Sequence, residues 1–256
     1  MSKLKVLDLF SGIGGFSLGL ERTGGFETVA FCEIDPFCRR VLAKHWPEVP
    51  CYHDVRELTA ERLAADGIVP DVICGGFPCQ DISISGSRAG LGGSRSGLWS
   101  EFSRLIGELR PSYVVVENVA NLLSGPNEWP GAWFGRILGD LAELRCDAEW
   151  ENIPAIALGT PHRRERVWLV AYPNASRLSG HKSEWNGIRI HEVAASTIFR
   201  DGNVPSRSWP SLSSISRRMA DGIPRPVDRV RSLGNAVVPQ IPELIGRAIL
   251  AARASA

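Results

Sequence analysis

The chain has 256 residues, of which 44% are hydrophobic and 22% are charged, and its formal net charge is +1. This composition is typical of a globular protein, and the absence of a long uncharged apolar run argues against a membrane span or a secretory signal, so we expect a cytosolic protein. The six cysteines form no CxxC pair, which disfavours both a disulfide framework and a zinc site.

The charge is distributed unevenly along the chain. Residues 162–231 hold 13 Lys and Arg against 6 Asp and Glu, a surplus that leaves −6 for the remainder. A basic segment attached to an acidic body is typical of a protein that meets a polyanion. A solvated basic loop region would explain the charge equally well.

The first two thirds of the chain alternate between predicted strands and helices. Apolar runs predict strands at 4–10, 28–32, 71–74, 113–116 and 166–172, and helical periodicity predicts helices at 16–21, 36–45, 98–109, 133–144 and 239–252. This alternation predicts an α/β fold with a doubly wound, Rossmann-like, mostly parallel sheet. Residues 173–217 are rich in Ser, Asn, Gly, Arg and Trp, which predicts a small irregular insertion.

A glycine-rich turn follows the first predicted strand. Asp8–Gly15 ends that strand and opens a helix, and Glu33 ends the second predicted strand. Glycines let the backbone approach a ligand, and a carboxylate about 20 residues later is where such folds bind a ribose. Together the two features predict a nucleoside-type cofactor, although a plain connection and a capping glutamate would explain each one alone.

Cys79 follows Pro78 just past the third predicted strand, at the edge where open α/β sheets place their chemistry. The next stretch, 80–97, contains five glycines and five serines, which predicts a mobile lid. A structural cysteine on a loop is the alternative.

Glu117 comes directly after three valines of another predicted strand. Burying a carboxylate there is costly unless it is paired or functional. We therefore expect Glu117 and Cys79 to face the same crevice, although an exposed glutamate at a strand end is common.

Five motifs in order make the sequence resemble the C5-cytosine DNA methyltransferase family: Asp8–Gly15, Gly76–Gln80, Glu117–Val119, His162–Arg166 and Arg231–Pro239. The resemblance implies an enzyme that transfers a methyl group from S-adenosyl-L-methionine to carbon 5 of a flipped cytosine through a covalent cysteine adduct. The family usually has Gln in place of His162. Methyl transfer from a sulfonium requires no metal.

The same resemblance implies roles for individual residues. It assigns catalysis to Cys79, Glu117, Arg164 and Arg166. It implies that the cofactor site comprises Phe10, Ser11, Gly12, Gly14, Gly15, Glu33, Ile34, Asp54, Val55, Pro78, Asn235 and Ala236. The candidate DNA contacts are Gln80, Ser83, Arg88, Arg95, Arg177, Lys182, Arg189, Arg200 and Arg207.

The resemblance also implies three parts of the chain: a catalytic domain at 1–172, a target-recognition region at 173–217 and a returning segment at 218–256. We expect a bacterial or phage-encoded monomer that acts on double-stranded DNA in restriction-modification or genome protection, with a cognate restriction endonuclease as a candidate partner. An RNA cytosine methyltransferase is disfavoured because its characteristic Cys-Phe-Thr stretch is absent. A non-catalytic DNA-binding relative predicts loss of the nucleophile or the glutamate, and both are present.

Overall fold

A computed structural model describes residues 2–78, 97–125, 129–154, 165–174 and 236–255. The strands are β1 (Leu4–Leu9), β2 (Phe26–Cys32), β3 (Cys51–Tyr52), β4 (Val72–Gly75), β5 (Tyr113–Val119), β6 (Cys146–Pro154) and β7 (Glu165–Pro173). They form one seven-stranded sheet in the order β3-β2-β1-β4-β5-β7-β6. The first five strands run parallel, whereas β7 is antiparallel to both of its neighbours.

Helices cover both faces of this sheet. They are α1 (Gly15–Glu21), α2 (Pro36–His45), α3 (Ala60–Ala65), α4 (Leu98–Leu109), α5 (Ala132–Glu143) and α6 (Gln240–Ser255), with a 3₁₀ turn at Ala120–Leu123. One buried cluster joins α4 and α5 to the sheet through Phe102 and Ile137, and another joins α1 and α6 through Phe16 and Ile245. The predicted doubly wound α/β fold is thereby confirmed.

The central strands are apolar because both of their faces are buried. Val6, Leu7 and Leu9 of β1 are wholly inaccessible to solvent, as expected for a parallel strand between two helical layers. Such continuous apolar runs made β1, β4 and β5 predictable. Edge strand β6 contains three acidic residues and only one fully buried hydrophobic, Ile153, so it has no such run and was not predicted.

Helix α6 and the residues just before it pack closely against α1, because α1 has glycine at the points of contact. An added Cβ on Gly15 would lie 2.6 Å from the carbonyl oxygen of Val237. On Gly19, one turn later, it would collide with the carbonyl oxygen of Pro239. The two backbones therefore pack closely, and this contact brings residues near 236 beside the turn that follows β1.

Candidate active site

The predicted functional side chains gather at one edge of the sheet. Phe10 follows β1, Glu33 follows β2, Pro78 comes three residues after β4, and Glu117 lies near the end of β5. Because these four strands are parallel, their carboxyl ends meet at the same edge.

A cavity of about 550 Å³ opens at this edge, within the range of small-molecule sites. Eight of the expected cofactor residues line it: Phe10, Gly12, Glu33, Ile34, Asp54, Val55, Pro78 and Ala236. The cavity walls also include residues that we did not predict: Cys32, Asp35, Pro36, Cys38, His53, Arg56, Gly76 and Leu98. Most of these are sequence neighbours of predicted residues, whereas Leu98 comes from a separate helix.

The carboxylate of Glu33 is fixed by the backbone of two segments. The Gly12 N–H donates to Glu33 Oε2 at 2.7 Å, and the Asp35 N–H donates to Oε1 at 2.8 Å. Glu33 is 8% exposed, and a carboxylate oxygen has a second lone pair for a further donor. The side chain is therefore oriented in advance and still able to accept hydrogen bonds from a ligand in the cavity.

Phe10 adopts a left-handed backbone conformation, with φ of 52°, which is uncommon for a residue with a bulky side chain. Its ring stacks at 6.3 Å on Phe102 of α4, with an interplanar angle of 20°. Such backbone strain is often found at ligand sites, and here it accompanies an aromatic face at the cavity wall.

Asp54 has a cation partner inside the cavity wall. The Arg56 Nε donates to Asp54 Oδ1 at 3.0 Å, and Arg56 Nη2 lies 2.8 Å from Oδ2. These hydrogen bonds from Arg56 lower the pKa of the Asp54 carboxyl. Asp54 is therefore a charged hydrogen-bond acceptor at the cavity. An amine of a ligand there would bind the same carboxylate that already accepts from Arg56.

Glu117 lies beside this cavity and is held by Arg166 of β7. Arg166 Nε is 3.0 Å from Glu117 Oε1, and only 10% of the Glu117 side chain is exposed. Gly75 pairs with Val116, so Gly76 lies level with Glu117. A Cβ on Gly76 would stand 2.9 Å from Glu117 Oε2. A larger residue at position 76 would therefore crowd the carboxylate, whereas glycine lets Glu117 lie directly against the cavity wall.

Asn118 joins the glutamate strand to the segment that leads to Cys79. Its Nδ2 donates to the Phe77 carbonyl oxygen at 2.8 Å, and its Oδ1 accepts from the Val119 N–H at 2.9 Å. Asn118 is 2% exposed, so this bond is shielded from water. It fixes the backbone two residues before Cys79. We assigned Asn118 no role from the sequence, where only its place in a motif marked it.

A buried carboxyl group lies beneath the glycine-rich turn. Asp8 is wholly buried, and its Oδ2 accepts from the Ser17 hydroxyl at 2.7 Å. Burial raises the pKa of Asp8 to about 8. Cys74 is the partner of Asp8 on the neighbouring strand, and burial raises the pKa of that thiol well above its ordinary value.

Three of the expected cofactor residues do not line the cavity. Ser11 hydrogen-bonds through its hydroxyl to the Asp8 carbonyl oxygen at 2.5 Å. Gly14 has φ of 86° and abuts the Trp46 ring, and Gly15 abuts Val237. These residues shape the turn and its packing.

Several predicted residues lie outside the described part of the chain. They are Cys79, Gln80, Ser83, Arg88, Arg95, Arg164, Arg177, Lys182, Arg189, Arg200, Arg207 and Asn235. Within the described residues, no three His, Cys, Asp or Glu side chains are grouped so as to hold a metal ion. Among the helices in those ranges, none has the length and apolarity needed to cross a bilayer.

The sequence matches the family described as C-5 cytosine-specific DNA methylase over residues 4–221. It is 37% identical over 172 residues to the Type II methyltransferase M2.BsuMI of Bacillus subtilis (strain 168), covering 66% of this chain and 42% of that protein. It is 33% identical over 174 residues to the Type II methyltransferase M.HhaI of Haemophilus parahaemolyticus, covering 68% of this chain and 50% of that one. The chain thus spans half or less of the length of these relatives.

Solved structures show the same fold. A protein encoded within an Escherichia coli prophage and described as a DNA modification methyltransferase superimposes with a TM-score of 0.56 at 28% identity, covering 69% of this chain and 49% of that one. The S. pombe Dnmt2 methyltransferase gives a TM-score of 0.56 at 18% identity, covering 76% of this chain and 55% of that one. The second comparison bears on the fold alone.

Proposed function

Because this chain belongs to the C-5 cytosine-specific DNA methylase family, we propose that it transfers a methyl group from S-adenosyl-L-methionine to carbon 5 of cytosine in DNA. The observation that carries the proposal is the position of Gly76. This residue lines the cofactor-sized cavity and lies so close to Glu117 that a Cβ added to it would stand 2.9 Å from the carboxylate. A methyl donor in the cavity and a base held by Glu117 would therefore be neighbours.

The cavity fits the nucleoside part of S-adenosyl-L-methionine. Glu33 would accept hydrogen bonds from the ribose hydroxyls, and Asp54 would accept from the adenine amine. Phe10 offers an aromatic face against which an adenine ring packs. When bound, the cofactor supplies an electrophilic methyl group on a sulfonium. The residues of this chain must then place the cytosine and activate its carbon 5.

Cys79 is the proposed nucleophile. Its thiolate adds to C6 of cytosine, and the electron pair of the former C5–C6 double bond becomes available at C5. S-adenosyl-L-methionine, held by the residues of the cavity, would supply the methyl group that this activated C5 accepts. A base then removes the C5 proton, the C5–C6 double bond re-forms, and the Cys79 thiolate leaves.

Glu117 and two arginines support this addition. Glu117 would hydrogen-bond N3 and the exocyclic amine of the base, which stabilises the adduct as electron density moves into the ring. Arg166 contacts Glu117 directly, so it orients that carboxylate. Arg164 is the proposed partner of the O2 oxygen. The target carbon is inaccessible in a stacked duplex, so the base must be flipped out of the helix.

Different parts of the chain are proposed to catalyse the reaction and to recognise the DNA. We propose that residues 1–172 and 218–256 form the catalytic part, and that 173–217 chooses the target sequence through residues such as Arg177 and Arg207. Arginine and lysine there would contact phosphates or guanine edges. A restriction-modification role with a cognate endonuclease is proposed from the names of the bacterial relatives.

The test is methyl transfer by the purified chain. Unmethylated duplex DNA is incubated with S-adenosyl-L-methionine carrying a tritiated methyl group, and the nucleosides are separated after digestion. We expect label in 5-methyldeoxycytidine, with bisulfite sequencing showing one recurrent site. Label in another base, or transfer to RNA but not to DNA when an RNA substrate is incubated in parallel, would contradict the proposal.

A further inference from the structure

One arginine of α4 joins two walls of the cofactor-sized cavity. The Arg104 Nη2 donates to the carbonyl oxygens of Val55 at 3.1 Å and Leu58 at 2.8 Å. Its Nε donates to Glu101 at 2.8 Å, and its Nη1 donates to Glu108 at 2.7 Å. The guanidinium is therefore held by two acceptors of its own helix while it binds two carbonyls of a different segment.

The segment that Arg104 binds carries the expected adenine-binding residues. Asp54 and Val55 line the cavity from this segment, and Leu98 lines it from the first turn of α4. Arg104 lies within the same helix as Leu98 and contacts the carbonyl group of Val55. It thus connects two walls that are far apart in sequence.

The network continues to the end of the same segment. The second oxygen of Glu108, Oε2, accepts from the Ala60 N–H at 3.0 Å, at the start of α3. At the other end, β3 is paired with β2, and the Tyr52 carbonyl oxygen accepts from the Glu33 N–H at 3.0 Å. The stretch between β3 and α3 is therefore held at both ends, and Arg104 holds its middle.

We propose that Arg104 is a positioning residue for cofactor binding, acting through the backbone that carries Asp54 and Val55. The inference rests on the proposed function, since it presumes that the cavity binds S-adenosyl-L-methionine. A planar guanidinium donates in several fixed directions, whereas a lysine ammonium is a single compact donor. Neither lysine nor an apolar side chain of similar length can satisfy all four acceptors at once.

The test compares Arg104→Met and Arg104→Lys with the wild-type chain. Arg62→Met is the matched control, because Arg62 makes an ion pair with Asp66 at 3.2 Å on the neighbouring helix α3 and lines no part of the cavity. Calorimetry measures the Kd for S-adenosyl-L-methionine, and steady-state assays separate KM from kcat. Thermal unfolding of each protein reports its stability.

We expect Arg104→Met to raise the Kd and the KM for the cofactor about tenfold or more, with kcat at saturating cofactor close to that of the wild type. Arg104→Lys should restore part of this affinity, and Arg62→Met should bind as the wild type does. If Arg104→Met proves unstable, the shift in Kd of Arg104→Lys decides the matter alone.

Two results would overturn the inference, and they differ from failure of the proposed function. A wild-type Kd in the Arg104 variants, with or without a lower melting temperature, would make Arg104 a purely structural residue. A fall in kcat with unchanged KM would move its role from binding to chemistry. A wild-type chain that does not bind S-adenosyl-L-methionine would instead refute the proposed function itself.

Discussion

Arg166 Nε lies 3.0 Å from the Glu117 carboxylate across two antiparallel strands, and only 10% of the Glu117 side chain is exposed. Glu117 and Trp168 are register partners, and Arg166 pairs with Val119, so the two charged residues meet diagonally. Because β7 runs opposite to β5, residues at its beginning reach the end of β5. The antiparallel strand thus supplies a cation to the edge where the parallel strands end.

Removing this cation should impair chemistry more than cofactor binding. Arg166→Ala deletes the ion pair that orients Glu117, and we expect kcat to fall by about a hundredfold with little change in the Kd for S-adenosyl-L-methionine. Arg247→Ala is the control, since it deletes an exposed ion pair of 2.8 Å on α6. An equal fall in kcat in Arg166→Ala and Arg247→Ala would refute the orienting role of Arg166.

Glu33 should govern cofactor affinity. Glu33→Gln keeps the size of the side chain but removes its charge and one of its acceptor oxygens. A hydrogen bond to a charged group contributes about 1.5–3 kcal/mol, so calorimetry should show a Kd about ten- to a hundredfold higher. Glu57→Gln, which changes an exposed carboxylate next to Arg56 in the chain, should bind normally. An unchanged Kd in Glu33→Gln would show that the ribose is bound elsewhere.

Cys79 should form a covalent bond to the target base. DNA containing 5-fluorocytosine should be trapped as a denaturation-resistant complex, because fluorine cannot leave as a proton. Cys79→Ala should abolish both trapping and methylation. Cys146→Ala should retain both, because burial raises the pKa of the Cys146 thiol and it lies on the edge strand. Trapping that persists in Cys79→Ala would contradict the mechanism.

Asp8 should make the protein less stable as the pH rises. Its pKa is about 8 when folded, because it is buried, against an ordinary value of 3.8. Between these values the folded chain keeps a proton that the unfolded chain has lost, so the free energy of unfolding falls by at most about 1.4 kcal/mol per pH unit. The decline should level off above pH 8.

Asp8→Asn removes this titration while keeping an oxygen for the Ser17 hydroxyl. We therefore expect urea unfolding at pH 5, 6.5 and 8 to show that the free energy of unfolding falls less with pH in the variant than in the wild type. The neighbouring Cys74 and Glu33 side chains both remain in the variant. Parallel stability curves for the two proteins would exclude a raised pKa at Asp8.

The sequence predicted the fold where burial leaves a local signature. Apolar runs marked the central strands, and the turn after β1 marked the cavity. Glu33 was predicted from its place about 20 residues after the glycine-rich turn. Glu117 was predicted because a carboxylate directly after three buried valines is costly unless it is paired or functional. The bounds of α2 and α4 were correct to the residue, since Pro36 and Gly97 mark where those helices begin.

The features that the sequence did not predict depend on contacts between residues that are distant in the chain, and no short stretch of sequence reveals such contacts. Arg104 and Asn118 donate hydrogen bonds to carbonyl groups 40 or more residues away. The two-residue strand β3 forms only because β2 offers it an edge, and β6 is polar because its edge is exposed. The pairing of Asp54 with Arg56 was also missed, because an arginine two residues from a carboxylate is common on exposed loops.

The close packing of α1 against the segment around Val237 has a consequence for biosynthesis. Phe10 and Ala236 line one cavity, yet the ribosome makes them more than 200 residues apart. During translation, the sheet can begin to assemble long before α6 exists, because domains fold progressively as the chain emerges. The cavity, in contrast, lacks a wall until residue 236 has emerged and docked. A nascent chain should therefore acquire cofactor affinity late, and bound cofactor should protect only molecules whose two distant segments have already met.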